Sequence, residues 1–508
     1  MAVSDGDTVT VVKDMGLVTR VFDERTLSGL SGHLAIGHTR YSTHGSSDWA
    51  AAQPVYRPVG AAGFALGHNG NLTNTAALAD KAGMLPGMVA TDSDVVAELL
   101  AHHHSPGAGA GAGAGAAQPT LLALTAEPPP AAGAAANGDT LSEALRAVLP
   151  MLEGAYSFVL MDAGRLYGVR DPYGLRPLCL GRLDAVGDTQ EGWVLASEPP
   201  ALDVIGATFV RELAPGELVT IDRDGVRSEQ VFRSDEVQHK LCIFEFVYFA
   251  RPDTRLLGRE VHGTRRRMGE LLAEQAPVDA DLVMGVPDSG VPAAEGYARR
   301  SGVPYGQGLV KNRYIGRTFI EPDSQARHDA VRRKLNPLRE NIGGKRLVVV
   351  DDSIVRGTNS RAIVRMLREA GATEVHLRIS SPPFRWPCFY GIDTPTRTQL
   401  LAATKSVEEM ERFLDVDSLA YISLENLEAA IGAGMDTGAE GTSGAPFCEA
   451  CLTGRYPTAV PAELRTGLVA ATVGGGGGGG DPSPEGGPNG NGNGNGAGAA
   501  LQAALPGV

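Results

Sequence analysis

The chain has 508 residues, 43% of them hydrophobic and 20% charged, so it is too long for one ordinary core and apolar enough to build two or three. Its formal net charge of −14 repels polyanions, which argues against nucleic acid or an anionic membrane surface as the main partner and leaves small anions open. No run of about eighteen apolar residues is present, so a soluble protein is expected, and the 66 glycines exceed what folded domains use, so part of the chain is linker.

The opening MAVSDGDTVTVVKD has the character of neither a signal segment nor a transit peptide. From residue 1 to about 230, runs such as DTVTVVKDMGLV, HLAIGHT, GFALGHNGNL, YSFVLMD and ELVTIDRDGV alternate with Gly, Asn and Asp turns, a period-two pattern that predicts antiparallel strands. A helix is predicted after Asp92, where Val95, Val96, Leu99 and Leu100 recur at helical spacing. Between His102 and Asp139 the pattern collapses into Gly-, Ala- and Pro-rich sequence that buries too little to offset ordering, which predicts a surface insertion. His102, His103 and His104 are read there as a solvated tract rather than a metal site.

Further on, buried strands lead into helices. LVMG runs into VPDSG, and PAAEGYARRSG predicts a helix with Pro292 in its first turn and Gly302 as its stop. RLVVV then leads through DDSIVRGTNS into RAIVRMLREAG, with Ile363, Met366, Leu367 and Ala370 on one face, and EVHLRIS follows as a strand. Such a βαβ succession predicts a parallel sheet covered by helices. From Gly474 the glycine run and NGNGNG repeat predict a flexible tail.

The stretch LVVVDDSIVRGTNS, residues 347–360, carries the most chemistry. An apolar strand delivers Asp351 and Asp352 at its carboxyl end, where open α/β sheets bind ligands, and the turn through Gly357 opens a helix whose free N–H groups favour a phosphate. Taken alone, two aspartates after a strand fit a solubilising loop equally well. The pattern resembles the phosphoribosylpyrophosphate-binding motif of type I phosphoribosyltransferases. With GVPDSG at 285–290, GLVKNRYIGRTFIEP at 308–322 and VRRKLNP at 331–337, the chain resembles the amidophosphoribosyltransferase family rather than nucleobase salvage enzymes. The resemblance implies that Asp351 and Asp352 handle the ribose hydroxyls and, with Ser289, one magnesium ion. It implies that Arg356, Gly357, Thr358, Asn359 and Ser360 cradle the 5-phosphate, although many relatives carry threonine where Asn359 stands. Lys311, Arg313 and Lys334 are expected in a closing loop that stabilises departing pyrophosphate; a solvated basic loop is the plain alternative.

In the first half, GHTRYSTHG at 37–45, GHNGNL at 67–72 and TDSDV at 91–95 resemble the N-terminal-nucleophile glutamine amidotransferases. The resemblance implies that Arg40 binds the glutamine carboxylate and Asp92 its amino group, while Asn69 and Gly70 form an oxyanion hole. An isolated Asn-Gly is more often a hairpin turn, and His44 is read as structural. Family members begin with a cysteine that attacks glutamine, whereas this chain begins at Met1 and has no cysteine before Cys179, itself expected in a core strand. The sequence is therefore read as N-terminally truncated and limited to free ammonia.

Cys242, Cys388, Cys448 and Cys451 remain, in KLCIFEF, WPCFYG and FCEACLTG. Four thiolates suit a 4Fe-4S cluster or a tetrahedral zinc equally, and the contexts resemble the family's iron-sulfur subclass, which implies a structural cluster that pins the C-terminal segment.

The resemblance thus implies an α+β amidotransferase domain with antiparallel sheets over 1–230, with the insertion at 103–139. An α/β phosphoribosyltransferase domain with a parallel sheet and the cluster segment would follow over 231–472, then a disordered tail over 473–508. The implied reaction converts phosphoribosylpyrophosphate, glutamine and water to 5-phosphoribosylamine, glutamate and pyrophosphate, the first committed step of purine biosynthesis. Purine nucleotide feedback, a homotetramer and a plastid location are further expectations. The alternative is an ammonia-only or inactive regulatory paralogue that binds phosphoribosylpyrophosphate or a purine nucleotide.

Overall fold

The computed structural model describes residues 1–40, 49–60, 62–85, 89–104, 140–185, 191–312, 333–392, 394, 396–432, 447–462 and 464. The described residues all belong to one compact unit, and the predicted tail over 473–508 lies outside them.

The first half is organised on a six-stranded antiparallel sheet, in the order Gly225–Gln230, Glu217–Asp222, Leu166–Arg170, Gly154–Met161, Phe64–Leu72, Val55–Arg57. Its inner strands are buried on both faces, so alternation sends neighbours to different cores. Leu66, Phe158 and Leu160 face the helices Asp92–His104 and Thr140–Val148, whereas Ala65, Met161 and Val219 face Ala2 and Ile36 of a small sheet. The helix after the acidic start forms as predicted, with Val95, Val96, Leu99 and Leu100 at most 3% exposed. Each such side chain contributes about 1.5–3 kcal/mol of burial.

Two expectations change. The run DTVTVVKDMGLV is a strand only over Val9–Val11 and then turns into the short helix Val18–Val21, because Gly16 takes φ +135 and ends the alternation. His102–His104 are not a loop but the last turn of a helix, where His102 Nε2 lies 3.4 Å from the Glu98 carboxylate four residues back. The rest of the predicted insertion, from 105 to 139, lies outside the described residues.

The second half contains the predicted parallel sheet, ordered Leu282–Gly285, Arg346–Asp351, Glu374–Ile379, Ser418–Tyr421. Val348 and Val350 pack into one core, Leu347 and Val349 into the other, as a strand covered on both faces requires. The helix Val291–Ser301 has Pro292 in its first turn and stops at Gly302 with φ +76, and Thr358–Glu369 buries Ile363, Met366 and Leu367.

Between the halves, Leu241–Cys242 and Phe447–Cys448 form a short parallel pair, with Cys242 opposite Cys448. A small apolar cluster of Ala155, Leu175, Tyr390, Cys448 and Ala450 joins the large antiparallel sheet to this cysteine-bearing segment. Among the described residues no helix is long and apolar enough to cross a membrane.

Candidate functional sites on the two sheets

The central parallel strand Arg346–Asp351 has Leu347–Val350 fully buried and releases Asp351 and Asp352 at its carboxyl end. The Asp352 N–H donates to the Asp351 carboxylate at 2.9 Å, and the Asp352 side chain bonds the hydroxyls of Ser353 and Ser289. Burial raises both carboxyls above their ordinary values. For Asp351 the charge of Asp352 adds to the rise; for Asp352 the two serines and Arg265 oppose it. Two crowded, desolvated carboxylates beside a hydroxyl form a donor set that a hard dication would relieve.

Ser289 reaches this pair because Gly290 packs under the strand end: a Cβ there would lie 2.4 Å from the Val350 carbonyl. Gly357 is equally constrained, with φ +76 and room for no Cβ against Leu401. It forms the N-cap of Thr358–Glu369 and brings no side-chain acceptor, so first-turn N–H groups stay open to a ligand beside exposed Arg356, Thr358 and Asn359, while Ser360 is buried. Lys311 and Lys334 stand at the base of one hairpin, where Leu309–Lys311 pairs with Leu335–Pro337 and Lys311 bonds Asp288. Arg313 and the rest of 313–332 lie outside the described residues.

Asn69 and Gly70 are not in a turn. They sit within the strand Phe64–Leu72, opposite Ser157 and Tyr156. Gly70 has φ +144, and a Cβ on it would fall 2.1 Å from the Ala155 carbonyl. Asp92 accepts from the Leu72 N–H at 3.0 Å and the Ser93 N–H at 2.8 Å, and lies 3.6 Å from His68 Nδ1. Burial acts to raise the Asp92 carboxyl, but His68 and the two amides prevail and hold it below its ordinary value. His68 and Gln53, which the sequence reading passes over, are the fasteners. The buried His68 ring reaches Ser93 Oγ and the Ala155 carbonyl, both at 3.2 Å, and the His68 backbone N–H donates to Gln53 Oε1 at 2.7 Å. The only sequence signal was a histidine next to Asn-Gly. Arg40 is half-buried near His38, whose imidazole is lowered to about 4 by burial, then by His68 and Arg40. His44 lies outside the described residues.

Cys179 lies in the strand Cys179–Leu183, where its thiol donates to the Ala196 carbonyl and burial, with Glu212, pushes it up to about 12. The other four thiols converge: Cys242, Cys388, Cys448 and Cys451 line one small pocket with Arg176 and Tyr390. Burial raises all four, and for Cys448 and Cys451 the neighbouring thiols add to it. Among the described residues no three Cys, His, Asp or Glu side chains close around a point suited to a single ion.

Arg176 leaves this pocket toward the strand Phe64–Leu72. Its Nε lies 3.3 Å from Asn69 Oδ1, its Nη1 3.1 Å from Glu245, and its guanidinium 5.0 Å from the Phe249 ring centroid. Nearby, the turn after Cys388 brings Gly391 against Gly70, where a Cβ would touch the Gly70 backbone at 3.5 Å.

Residues 261–380 match the phosphoribosyl transferase domain. Over 480 residues the chain is 49% identical to the amidophosphoribosyltransferase of Mycobacterium leprae, covering 92% of this chain and 77% of the relative. It also resembles the solved glutamine phosphoribosylpyrophosphate amidotransferase of B. subtilis complexed with ADP and GMP, with a TM-score of 0.75, 40% identity and 91% of each chain covered. A second structure, described as the allosteric regulatory enzyme of purine biosynthesis, matches at a TM-score of 0.76 and 40% identity, over 91% of this chain and 90% of that one.

Proposed function

The chain belongs to the amidophosphoribosyltransferase family, and from that premise we propose which of its residues perform each part of the first step of purine biosynthesis. The observation that carries the assignment is the acid pair Asp351–Asp352 at the mouth of the central parallel strand, with Ser289 bonded to Asp352. Asp351 and Asp352 orient the ribose hydroxyls, and together with Ser289 they hold magnesium. Magnesium, when bound, supplies charge neutralisation for the departing pyrophosphate. Arg356, Gly357, Thr358, Asn359 and Ser360 hold the 5-phosphate, with backbone N–H groups of the helix mouth as the main donors. Lys311, now bonded to Asp288, and Lys334, which precedes the opposite strand Leu335–Pro337, stabilise the departing pyrophosphate.

On the antiparallel sheet, Arg40 and Asp92 take the two charged ends of glutamine, and Asn69 with the Gly70 N–H faces the oxygen of its amide. Asp92 suits an ammonium because its carboxyl stays ionised. None of the five cysteines of this chain lies among these residues: Cys179 is buried in a strand and the others line the separate pocket. Pyrophosphate release measured with ammonia, with glutamine and with purine bases tests the assignment. Release with a nitrogen donor and not with a base is expected; release with a base defeats the family reaction here.

Cys242, Cys388, Cys448 and Cys451 hold a 4Fe-4S cluster. Their common pocket supports a four-thiolate group, and the resemblance of their sequence contexts to the iron-sulfur subclass supports the cluster over zinc. A brown chromophore is expected, and colourless protein with stoichiometric zinc would reverse the choice. Purine nucleotides as feedback inhibitors are supported by the ADP and GMP of the B. subtilis relative. A homotetramer and a plastid location complete the proposal, the latter resting on the Gly- and Ala-rich insertions.

A further inference from the structure

We propose that Arg176 is a positioning residue that fixes which end of the Asn69 amide faces glutamine, and that it is itself held by the phosphoribosyltransferase half through Glu245 and Phe249. The inference rests on reading Asn69 as a glutamine contact. An asparagine side chain is sterically almost symmetric, so its oxygen and nitrogen exchange places by a flip unless hydrogen bonds choose between them. A guanidinium carries donors only. Arg176 Nε at 3.3 Å from Asn69 Oδ1 therefore selects the orientation with the amide oxygen toward Arg176 and the NH2 away from it. With the NH2 turned away from Arg176, Asn69 is a donor to a glutamine carbonyl; flipped, it would repel that oxygen.

Arg176 can make this choice because it has no freedom of its own. Its side chain is 12% exposed, Nη1 lies 3.1 Å from a Glu245 that is 2% exposed, and the ring of Phe249 covers it. Glu245 and Phe249 are the two ends of one π-helical turn, Glu245–Phe249. That turn is stitched to the helix Val261–Gln275 by Arg265, which donates to the Phe246 and Ala250 carbonyls, both at 2.8 Å. The donor geometry on the antiparallel sheet is thus set from the other half of the molecule, and correct seating of the two halves becomes a condition for holding glutamine.

The test is glutamine affinity by titration calorimetry on full-length protein prepared without oxygen. It compares the parent with Asn69→Ala, Arg176→Met, the Asn69→Ala/Arg176→Met double variant and Glu245→Gln. Uptake of phosphoribosylpyrophosphate with magnesium by each preparation reports that it is folded. One hydrogen bond predicts that Asn69→Ala and Arg176→Met each weaken glutamine about 3- to 10-fold. The double variant should then be no weaker than Asn69→Ala, because both changes remove one interaction. Glu245→Gln should weaken glutamine by a smaller factor. Parent-like affinity in Arg176→Met, or losses that multiply in the double variant, would overturn the inference. Parent-like affinity in Asn69→Ala would instead overturn the glutamine contact on which it rests. Should Arg176→Met fail to take up phosphoribosylpyrophosphate, Arg176→Met/Glu245→Gln, which leaves no lone buried charge, takes its place with the same expectation.

Discussion

Asp92 caps the Leu72 amide of the strand Phe64–Leu72, and in the proposed function the same carboxylate meets the substrate ammonium. Its folded pKa lies below the ordinary 3.8, with burial opposing and His68 and the amides prevailing. The carboxylate therefore stabilises the fold fully above pH 4 and loses that contribution as pH falls through the folded value. Asp92→Asn should unfold more easily at pH 7, by about 1–3 kcal/mol for two charge-assisted bonds, and the difference from the parent should be smaller at a pH below the ordinary 3.8. Denaturant melts at the two pH values check this; a difference that grows on acidification would mean the pair with His68 is not what holds Asp92. His68 and Gln53 belong to the same scale and were not legible in sequence. A buried polar fastener is defined by partners far along the chain, such as Gln53 with His68 and Ser93, and no local spacing encodes them.

At the scale of single elements, regular pattern translated well where burial was continuous and poorly where it was brief. The strand Arg346–Asp351 and the helix Thr358–Glu369 were readable because their inner residues, Ser360 apart, are apolar at the right period. The run after Val9 misled because three alternating residues precede a glycine turn. Asn69-Gly70 reads locally as a hairpin turn, yet nine residues of ladder keep it extended, and only the cross-strand Ala155 carbonyl explains the glycine. A pair of glycines separates strain from function. Gly302 and Gly357 have the same φ of +76, but Gly302 ends a helix with open space around it, whereas Gly357 begins one beneath Leu401 and beside the acids. Gly302→Ala should cost about 1–2 kcal/mol of stability and leave phosphoribosylpyrophosphate uptake intact. Gly357→Ala should carry that strain into the phosphate loop and weaken uptake roughly 10-fold, a shift of about 1.4 kcal/mol. Calorimetry on both variants decides it: equal affinities would remove the loop from the phosphate site.

For the whole molecule, the cysteine segment bridges two halves whose cores are otherwise separate, and this is the part of the architecture that sequence motifs named without locating. Four cysteines in recognisable contexts pointed to a common site, but nothing in their spacing said that the turn after Cys388 would rest on Gly70 or that Cys448 would share a cluster with Ala155 and Leu175. The consequence is mechanical. Cys388 accepts the Tyr390 N–H at 3.3 Å, its backbone N–H bonds Thr394, and Tyr390 packs in the same apolar cluster as Cys448, so whatever ties this sulfur to the other three also holds the turn in place. A bound inorganic core adds its binding free energy to folding, because the unfolded chain does not present four converged thiolates. Cys388→Ser keeps the volume and the hydrogen-bonding capacity of the side chain but removes the soft ligand. It should therefore bleach the chromophore, lower the thermal midpoint by ~5 °C or more, and weaken glutamine as well, since Gly391 no longer supports Gly70. A colourless variant with an unchanged midpoint and parent-like glutamine affinity would show that the pocket does not brace the two sheets against each other.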